Sequence, residues 1–443
     1  MSARISMVAP VPGTVPIGTQ LFMMASECPC RESVSGRLPT RGDPAFVVGI
    51  ISSGHFLSHV YLLAYPPLFP ILGAEFDVST TQLGLLVTAI YVPTLLFQVP
   101  LGDIVDRIGA KRVLTAGMVV TALGITLSGL APAYGFLLAC AFVSGIGQSV
   151  FHPANYAFLE TVTEDGTEGK AFSAHTFGGF AGFAAAPVII GTLGIMYSWQ
   201  FALLTVGSIG FLFAAFLYTT TEPVHYNTIQ IEPSPGSDSS FTLRVSETLT
   251  AIRAFLDRDL VLVFMFYLVS MMAIVGLQSF TTVLGVSTFG FTESAANTVL
   301  TAYLVATAIG VIAGGPLADF FPVERVILGL FTVAASGVGI IVATAPAPGF
   351  LAVIFVFAIV GGLMGAALPS RDKLANSFAD PTATGKSFGF FFTGLSLGAV
   401  IAPVIIGSVI DAVSAAAAFG IIAGFLLGAA AVVLLLAFRA DRS

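Results

Sequence analysis

The sequence predicts an all-α membrane protein with twelve transmembrane helices in two six-helix bundles. Of the 443 residues, 56% are hydrophobic and 9% are charged, which leaves too few polar side chains to cover a soluble protein of this size. Twelve apolar segments are long enough to cross a hydrocarbon core about 30 Å thick as helices. The two halves of the chain also carry the same motifs in the same order, which indicates a duplicated bundle.

The apolar segments fall into two groups of six. The first group covers residues 45–72, 80–101, 112–130, 134–158, 169–195 and 198–219, and the second covers 259–287, 293–317, 325–344, 349–374, 384–411 and 414–438. We therefore predict an N-terminal bundle over 45–219 and a C-terminal bundle over 259–438. The polar, Pro- and Ser-rich residues 220–258 are interpreted as a cytoplasmic linker. Residues 1–44 are predicted to be a disordered cytoplasmic tail, and 439–443 a short cytoplasmic tail.

Basic residues indicate how the chain is oriented. Arg107, Lys111 and Arg112 follow the second span, and the equivalent later positions carry Lys170, Arg325 and Lys386. The short loops on the other face contain no Lys or Arg. Because basic loops stay on the cytoplasmic side, both termini are predicted to be cytoplasmic, in a multi-pass protein of the plasma membrane.

Composition and motifs exclude several function classes. Lys and Arg total 17 against 24 Asp and Glu, so the chain lacks the basic surface of a nucleic-acid-binding protein. Its three cysteines form neither a disulfide framework nor a zinc pattern. No catalytic nucleophile motif or ATP-binding loop is present. We therefore predict no enzyme activity, no metal and no cofactor.

A charged motif occurs once in each half. The first copy, GDIVDRIGAKR, follows the second span, and the second copy, GPLADFFPVER, follows the eighth at an offset of 319 − 106 = 213. Its residues are Gly102, Asp106, Arg107, Gly109 and Arg112 in the first copy, and Gly315, Asp319 and Arg325 in the second. The motif resembles the cytoplasmic signature loop of the major facilitator superfamily, and the resemblance extends over the chain from about residue 45.

This resemblance implies the major facilitator fold and transport by alternating access. It also implies that the acid matching Asp106 locks the cytoplasmic gate by capping a helix of the opposite half, since the positive end of a helix attracts a carboxylate. The alternative is a basic loop that only sets orientation. Asp319 recurs at the matching site, but Phe320 and Phe321 replace the basic residue after it.

A glycine-proline motif also recurs, in the fifth and eleventh spans. Gly182 and Pro187 lie in GFAAAPVIIG, and Gly398 and Pro403 lie in GAVIAPVIIG, at an offset of 403 − 187 = 216. Small residues four apart let helices approach closely. The motif resembles the antiporter motif of drug-exporting members, with Ala in place of the usual Gly before Pro. Because both halves carry it, we interpret it mainly as helix packing and only secondarily as an indication of antiport.

The fourth span contains GIGQSVFHPANY, which includes Gln148, His152, Asn155 and Tyr156. Its Phe-His-Pro run resembles the fosmidomycin-resistance branch of the superfamily. The offset of 216 aligns Pro153 with Pro369 and so places Asn155 and Tyr156 opposite Arg371 and Asp372 in the tenth span.

Three consecutive charges, Arg371, Asp372 and Lys373, lie in that tenth span. A charge within the bilayer costs about 2.5–3.5 kcal/mol. We expect Arg371 to face the central cavity, Asp372 to pair locally and Lys373 to reach toward the cytoplasm. A guanidinium in the cavity favours an anionic substrate. The alternative is that the three charges simply end the helix at the cytoplasmic edge.

Four of the five histidines, His55, His59, His152 and His175, lie in predicted spans. His55 and His59 are four residues apart and share one face of a helix, and the first and fourth spans line the cavity by resemblance. Imidazole gains and loses a proton near neutral pH. The hypothesis is that His152, with His55 or His59, carries a coupling proton. The alternative is a histidine that only bonds neighbouring helices.

The sequence therefore predicts a secondary active transporter of a small molecule, driven by proton-coupled antiport and exporting its substrate. The alternatives are proton-coupled uptake of an organic anion and a membrane sensor that binds without transport. The predicted partners are a small-molecule substrate, a coupling proton and the lipid bilayer, with no nucleic acid, and the functional unit is predicted to be a monomer.

Overall fold

The computed structural model describes residues 43–163, 167–221, 258–379 and 384–440. Within these ranges the regular structure is helical, and twelve helices are long and apolar enough to cross a membrane. The predicted fold class is confirmed, and the chain is a multi-pass membrane protein. The N-terminal tail up to residue 42, the linker over 222–257 and the last three residues lie outside the described ranges.

The twelve helices divide into two halves. The first half contains α1 (Pro44–Phe76), α2 (Thr80–Ile108), α3 (Ala110–Ser128), α4 (Tyr134–Val162), α5 (Glu168–Met196) and α6 (Trp199–Thr220). The second half contains α7 (Arg258–Ser287), α8 (Glu293–Phe320), α9 (Val323–Ala343), α10 (Phe350–Phe378), α11 (Thr384–Ala412) and α12 (Ala415–Ala440). We call the end where α1 begins and α12 finishes the terminal end, and the other the distal end.

Several helices extend beyond the predicted spans at the terminal end. α2 continues to Ile108 and α10 continues to Phe378, where the sequence predicted ends at 101 and 374. The prediction was short because apolarity marks the hydrocarbon core, while a helix can continue into the polar interface beyond it. The signature motifs are therefore helix ends joined by a tight turn rather than loops.

α1 is interrupted near the distal end. Its first helical segment ends at Leu62, and a short 3₁₀ turn over Pro66–Leu68 precedes the second segment. The two prolines cannot donate backbone hydrogen bonds, so the regular α-helical pattern breaks before them. The carbonyls of the two prolines accept hydrogen bonds from the other half: Thr282 Oγ1 donates to the Pro66 carbonyl at 2.9 Å, and Asn297 Nδ2 donates to the Pro67 carbonyl at 3.0 Å.

α4 is also interrupted, although the sequence predicted a continuous span. Its segments are Tyr134–Gln148 and Phe151–Val162, so Pro153 falls in the first turn of the second segment, where its missing N–H is tolerated. The repeat-related α10 remains one continuous helix across Pro369. The same proline therefore has two structural outcomes in the two halves.

The recurring glycines of α5 and α11 lie at equivalent helix contacts. A Cβ on Gly182 would collide with the backbone carbonyl of Phe56 in α1, and a Cβ on Gly398 would collide with the carbonyl of Leu268 in α7. Helix backbones therefore meet without intervening side chains, which is the close approach that small residues permit in membranes.

Farther along the same two helices, the glycines contact helices of the opposite half. Gly191 of α5 lies against Asn297 in α8, and Gly407 of α11 lies against Thr80 and Thr81 in α2. The repeated motif thus packs each helix first within its own half and then across the seam between halves. Pro187 begins a π-helical turn in α5, whereas Pro403 lies within regular α11.

We expect Gly182→Ala to destabilise the protein, because its Cβ has no space beside the Phe56 carbonyl. Overpacking of this kind costs about 1–3 kcal/mol. Gly420→Ala is the matched control, since nothing lies within 4 Å of a Cβ built there, and it should be neutral or stabilising by roughly 0.5–1 kcal/mol. Thermal unfolding in detergent measures both, and equal melting temperatures for the two variants would contradict this packing account.

Candidate functional site

The first signature motif lies at the junction of α2 and α3. Gly102, Asp106 and Arg107 occupy the last turns of α2, and Arg112 lies in the first turn of α3. Gly109 joins the helices with a φ of 91°, a left-handed backbone that favours glycine. The Asp106 carboxylate is exposed, and no ion pair or hydrogen bond joins it to another residue of the described ranges.

Lys111, which the sequence used only to set orientation, is the buried basic residue of this junction. Its ammonium donates to the backbone carbonyl of Thr221 after the end of α6 and lies 4.9 Å from the centre of the Tyr218 ring. A cation at a helix C-terminus satisfies its last carbonyls and opposes the helix dipole. This contact fixes the α2–α3 junction to α6.

The second motif copy is tied to α10. Asp319 lies 3.8 Å from the Lys373 ammonium, which also donates to the Ala318 carbonyl at 2.7 Å. Gly315 faces open space on α8, and Arg325 is exposed at the start of α9. At this copy, therefore, the signature acid binds a lysine of its own half.

The four histidines in the spans meet at one place inside the first half. His55 of α1 is central: its ring centre lies 4.2 Å from that of His59 and 5.9 Å from that of His152 in α4. The His175 ring of α5 stacks on His55 at 3.8 Å with an interplanar angle of 7°. We call these four residues the histidine cluster. Within the described ranges, no group of three or more His, Cys, Asp or Glu has an arrangement suited to a metal ion.

His175 was placed in a span by the sequence but was given no role. It is buried, and its backbone carbonyl lies 2.8 Å from His55 Nδ1. Gly179, one turn further along α5, leaves the space for the rings: a Cβ there would lie 2.6 Å from His55 Cε1 and 2.8 Å from His59 Cε1. Spacing alone does not reveal either contact, because α1 and α5 are far apart in sequence.

Gln148 and Asn155 of α4 are both buried. Gln148 Nε2 donates to the Ser58 carbonyl of α1 at 2.7 Å, beside the histidine cluster. The Asn155 amide has no hydrogen-bond partner on either of its polar atoms among the described residues. Gln148 thus positions α4 against α1, and Asn155 keeps an unused donor and acceptor.

Arg371 and Asp372 of α10 form an ion pair in the second half. Arg371 Nε lies 2.8 Å from Asp372 Oδ1, and the Tyr267 hydroxyl of α7 donates to the same oxygen at 3.0 Å. The Arg371 guanidinium also lies 4.9 Å from the centre of the Tyr267 ring. The arginine side chain is 14% exposed and the aspartate 52%, so the carboxylate is the more accessible partner.

Tyr156 lies beside the histidine cluster. Its ring lies 6.0 Å from the His152 ring and 5.9 Å from the His175 ring. The repeat relates it to Asp372 of α10, since 156 + 216 = 372. Tyr156 is 44% exposed and the Asp372 side chain 52%. Polar side chains thus occupy equivalent positions of α4 and α10 in the two halves.

Tyr156 and the ion pair of α10 lie nearer the terminal end. Tyr156 precedes the end of α4 by 162 − 156 = 6 residues, and Asp372 precedes the end of α10 by 378 − 372 = 6 residues. At 1.5 Å per residue both lie about 9 Å inside their helix ends. Because both helices continue past these residues, the charges on α10 do not mark its end.

The two halves are joined by hydrogen bonds at the distal end. The Asp411 carboxylate of α11 accepts the backbone N–H groups of Thr80 and Thr81, both at 2.8 Å, and the Thr81 hydroxyl at 2.6 Å. Ser79 and Gln82 satisfy the remaining donors of this first turn by a capping box. Deeper in the seam, the Thr88 hydroxyl donates to the Val400 carbonyl at 2.8 Å.

A carboxylate that caps a helix of the opposite half is therefore present, but at the distal end. The sequence gave this role to Asp106 at the terminal end, where its side chain is exposed and caps no helix of the described residues. Asp411 carried no signal in the sequence, since it lies outside the repeated residues and its counterpart at the offset of 216 is Ile195.

Sequence comparison matches the Major Facilitator Superfamily over residues 51–296 and 260–443. The chain is 25% identical to the uncharacterized MFS-type transporter YfnC of Bacillus subtilis, over 88% of this chain and 92% of that protein. It is also 25% identical to the fosmidomycin resistance protein of Escherichia coli, over 86% of this chain and 91% of that protein.

Among solved structures, the fold is similar to a bacterial homologue of the human lysosomal transporter Spinster, in an inward-facing and unoccupied conformation. The TM-score is 0.73 at 15% sequence identity, covering 90% of this chain and 98% of that chain. The similarity extends over both halves and therefore concerns the whole twelve-helix fold.

Removal of the Asp411 carboxylate should weaken the distal closure. We expect Asp411→Ala to cost the closed state about 1–2 kcal/mol, roughly a fivefold to thirtyfold fall in the ratio of closed to open molecules, because three hydrogen bonds across the seam disappear. Spin labels at the exposed positions Tyr197 and Val413, in a background without native cysteines, would report a longer distance.

Ser408→Ala is the control for this measurement. Its hydroxyl bonds only the Ile405 carbonyl of its own helix, so the label distance should match that of the parent. An unchanged distance distribution in Asp411→Ala would show that the capping bonds do not maintain the closure.

Proposed function

Because the chain belongs to the major facilitator superfamily, we propose that it is a proton-coupled antiporter that exports a small amphipathic molecule by alternating access. One observation carries the proposal: each half places titratable side chains at the same depth, the histidine cluster with Tyr156 in the first half and the Arg371–Asp372 pair in the second. Polar groups are costly in a membrane protein and mark substrate and proton pathways. The similarity to a drug-resistance protein supports export.

The histidine cluster supplies a proton site beside the path. A proton bound there adds positive charge near the substrate position, so it repels a cationic substrate and attracts an anionic one. Repulsion makes proton and substrate compete, which gives exchange in opposite directions. Protonation of the cluster would therefore drive export of an amphipathic compound that carries a basic group.

Arg371 favours a second candidate function, proton-coupled uptake of an organic anion. Its guanidinium is held by Asp372 at 2.8 Å, and an anionic substrate would replace that carboxylate with a bidentate contact of its own. Protonation of the histidine cluster would then favour substrate binding, so proton and anion would move together. The two candidates differ in the sign of the coupling.

In this proposal the terminal end faces the cytoplasm and the distal end faces outward. Asp411 then closes the outer side while the path is open to the cytoplasm. For the reverse state, Asp106 and Asp319 at the terminal end would form the contacts that close the inner side, after Lys373 releases Asp319. The working unit is the monomer, since each half supplies residues to one path.

Transport by purified protein in liposomes of known orientation, with a pH dye inside and an imposed pH gradient, tests the proposal. Cationic drugs, carboxylates and phosphonates are added one at a time. For antiport, a cationic compound should dissipate the gradient by moving against the proton. Arg371→Ala should lower substrate-dependent proton flux by about tenfold or more, because an ion pair in the path is lost.

Arg258→Ala is the control for a lost arginine, since this side chain is exposed at the start of α7. It should transport like the parent protein. Gradient dissipation only by anions, with the proton moving alongside, would replace export by the uptake candidate. Folded protein that binds a compound but moves neither it nor protons would contradict transport and favour a sensor.

A further inference from the structure

We infer that His55 is the residue that accepts the coupling proton, that His175 and Gly179 of α5 position its ring, and that the whole histidine cluster takes up one proton per molecule. This inference rests on the proposed function and specifies its proton site. Its starting point is the hydrogen bond between His55 Nδ1 and the His175 backbone carbonyl, at 2.8 Å.

That bond determines which nitrogen of His55 carries hydrogen. A backbone carbonyl can only accept, so Nδ1 must be the donor, and the neutral ring keeps its lone pair on Nε2. His55 Nε2 is buried and has no hydrogen-bond partner among the described residues. A proton can therefore add at Nε2 without breaking the bond that holds the ring.

The packing of the rings limits the number of protons. His175 stacks on His55 at 3.8 Å, His59 lies at 4.2 Å and His152 at 5.9 Å. Two imidazolium ions at such separations repel each other strongly in a buried environment. Once His55 is charged, each of its three neighbours is held neutral, so the cluster acts as one proton site.

Gly179 makes this arrangement possible. Both α1 rings lie against its Cα, where a Cβ would lie 2.6 Å from His55 Cε1 and 2.8 Å from His59 Cε1. Any other residue would displace these rings, and with them the His55 Nδ1 atom, which bonds the His175 carbonyl and would lie 2.9 Å from the added Cβ. Gly179 is thus a positioning residue rather than a packing glycine of the repeat, whose positions in α5 are Gly178 and Gly182.

Three other titratable rings face His55: His59 from α1, His152 from α4 and His175 from α5. His59 Nδ1 and both ring nitrogens of His175 are also buried without a hydrogen-bond partner among the described residues. His55 differs from them because its ring contacts all three of the others. Tyr156 lies beyond them, against His152 and His175. Across the seam, Asp372 is occupied by Arg371 and by the Tyr267 hydroxyl. Within the described ranges no carboxylate is hydrogen-bonded to a ring of the cluster, so a proton arriving there stays on an imidazole.

Nuclear magnetic resonance of histidine nitrogens tests the inference without a substrate. The protein, carrying His225→Gln to remove the one histidine outside the cluster, is labelled with ¹⁵N-histidine in lipid bilayers. Near pH 8, His55 should show a protonated Nδ1 and a free Nε2. As the pH is lowered below the ordinary titration range of imidazole, one proton per molecule should appear, at His55 Nε2, with assignment by His55→Gln.

Gly179→Ala should abolish the His55 tautomer signature, and Gly169→Ala on the same helix, where a Cβ meets nothing within 4 Å, should preserve it. A protonated Nε2 in neutral His55, proton uptake at His152 instead, or uptake of two protons together would overturn the inference. Absence of proton-coupled flux in the liposome assay would contradict the proposed function, whereas flux with the proton on another histidine would contradict this inference alone.

Discussion

Three hydrogen bonds to the Asp411 carboxylate hold the two halves together at the distal end. Two of the donors are the N–H groups of Thr80 and Thr81, which the first turn of α2 leaves unpaired within the helix, and the third is the Thr81 hydroxyl. A carboxylate is the best partner for them because of its charge and because the helix dipole is positive there. Toward the other end, Tyr156 and Asp372 remain exposed.

The same requirement, that no backbone polar group remains unpaired in a membrane, explains the other contacts across the seam. At the break in α1, Thr282 and Asn297 of the second half bond the carbonyls of Pro66 and Pro67, and the Pro66 carbonyl also accepts the Phe69 N–H. Irregular backbone therefore occurs where the opposite half can satisfy it. Separation of the halves at the distal end would break these bonds and leave the carbonyls to water. The interrupted part of α1 would therefore change its hydrogen-bond partners when the protein changes conformation.

The fold was predictable because apolar length and the internal repeat are properties of the chain itself. Local backbone was less predictable, as the repeat demonstrates: the six residues APVIIG are identical in both halves, yet they include a π-helical turn from Pro187 in α5 and regular α-helix around Pro403 in α11. Tertiary contacts decide between these conformations. The ends of α2 and α10 were also misjudged, since polar residues continue a helix beyond the apolar core.

The candidate site was predictable in its residue types but not in its contacts. His55 and His59 share a helix face by spacing, whereas the stacking of His175 on His55 depends on how α5 packs on α1. In the sequence Gly179 resembles a packing glycine, whereas in the structure the rings of His55 and His59 lie against it. Asp411 lies outside every motif, and its role depends on a helix end more than 300 residues away, as the separation of 411 − 80 = 331 shows.

The central claim is that protonation and alternating access are coupled across this seam. Its most direct test is to measure two spin-label distances as pH changes: Ile108 to Phe320 at the terminal end, and Tyr197 to Val413 at the distal end, all exposed positions. A proton that binds the two states unequally must shift their populations, so acidification should lengthen one distance and shorten the other. Distances that do not respond to pH, or that change in the same direction, would contradict the account.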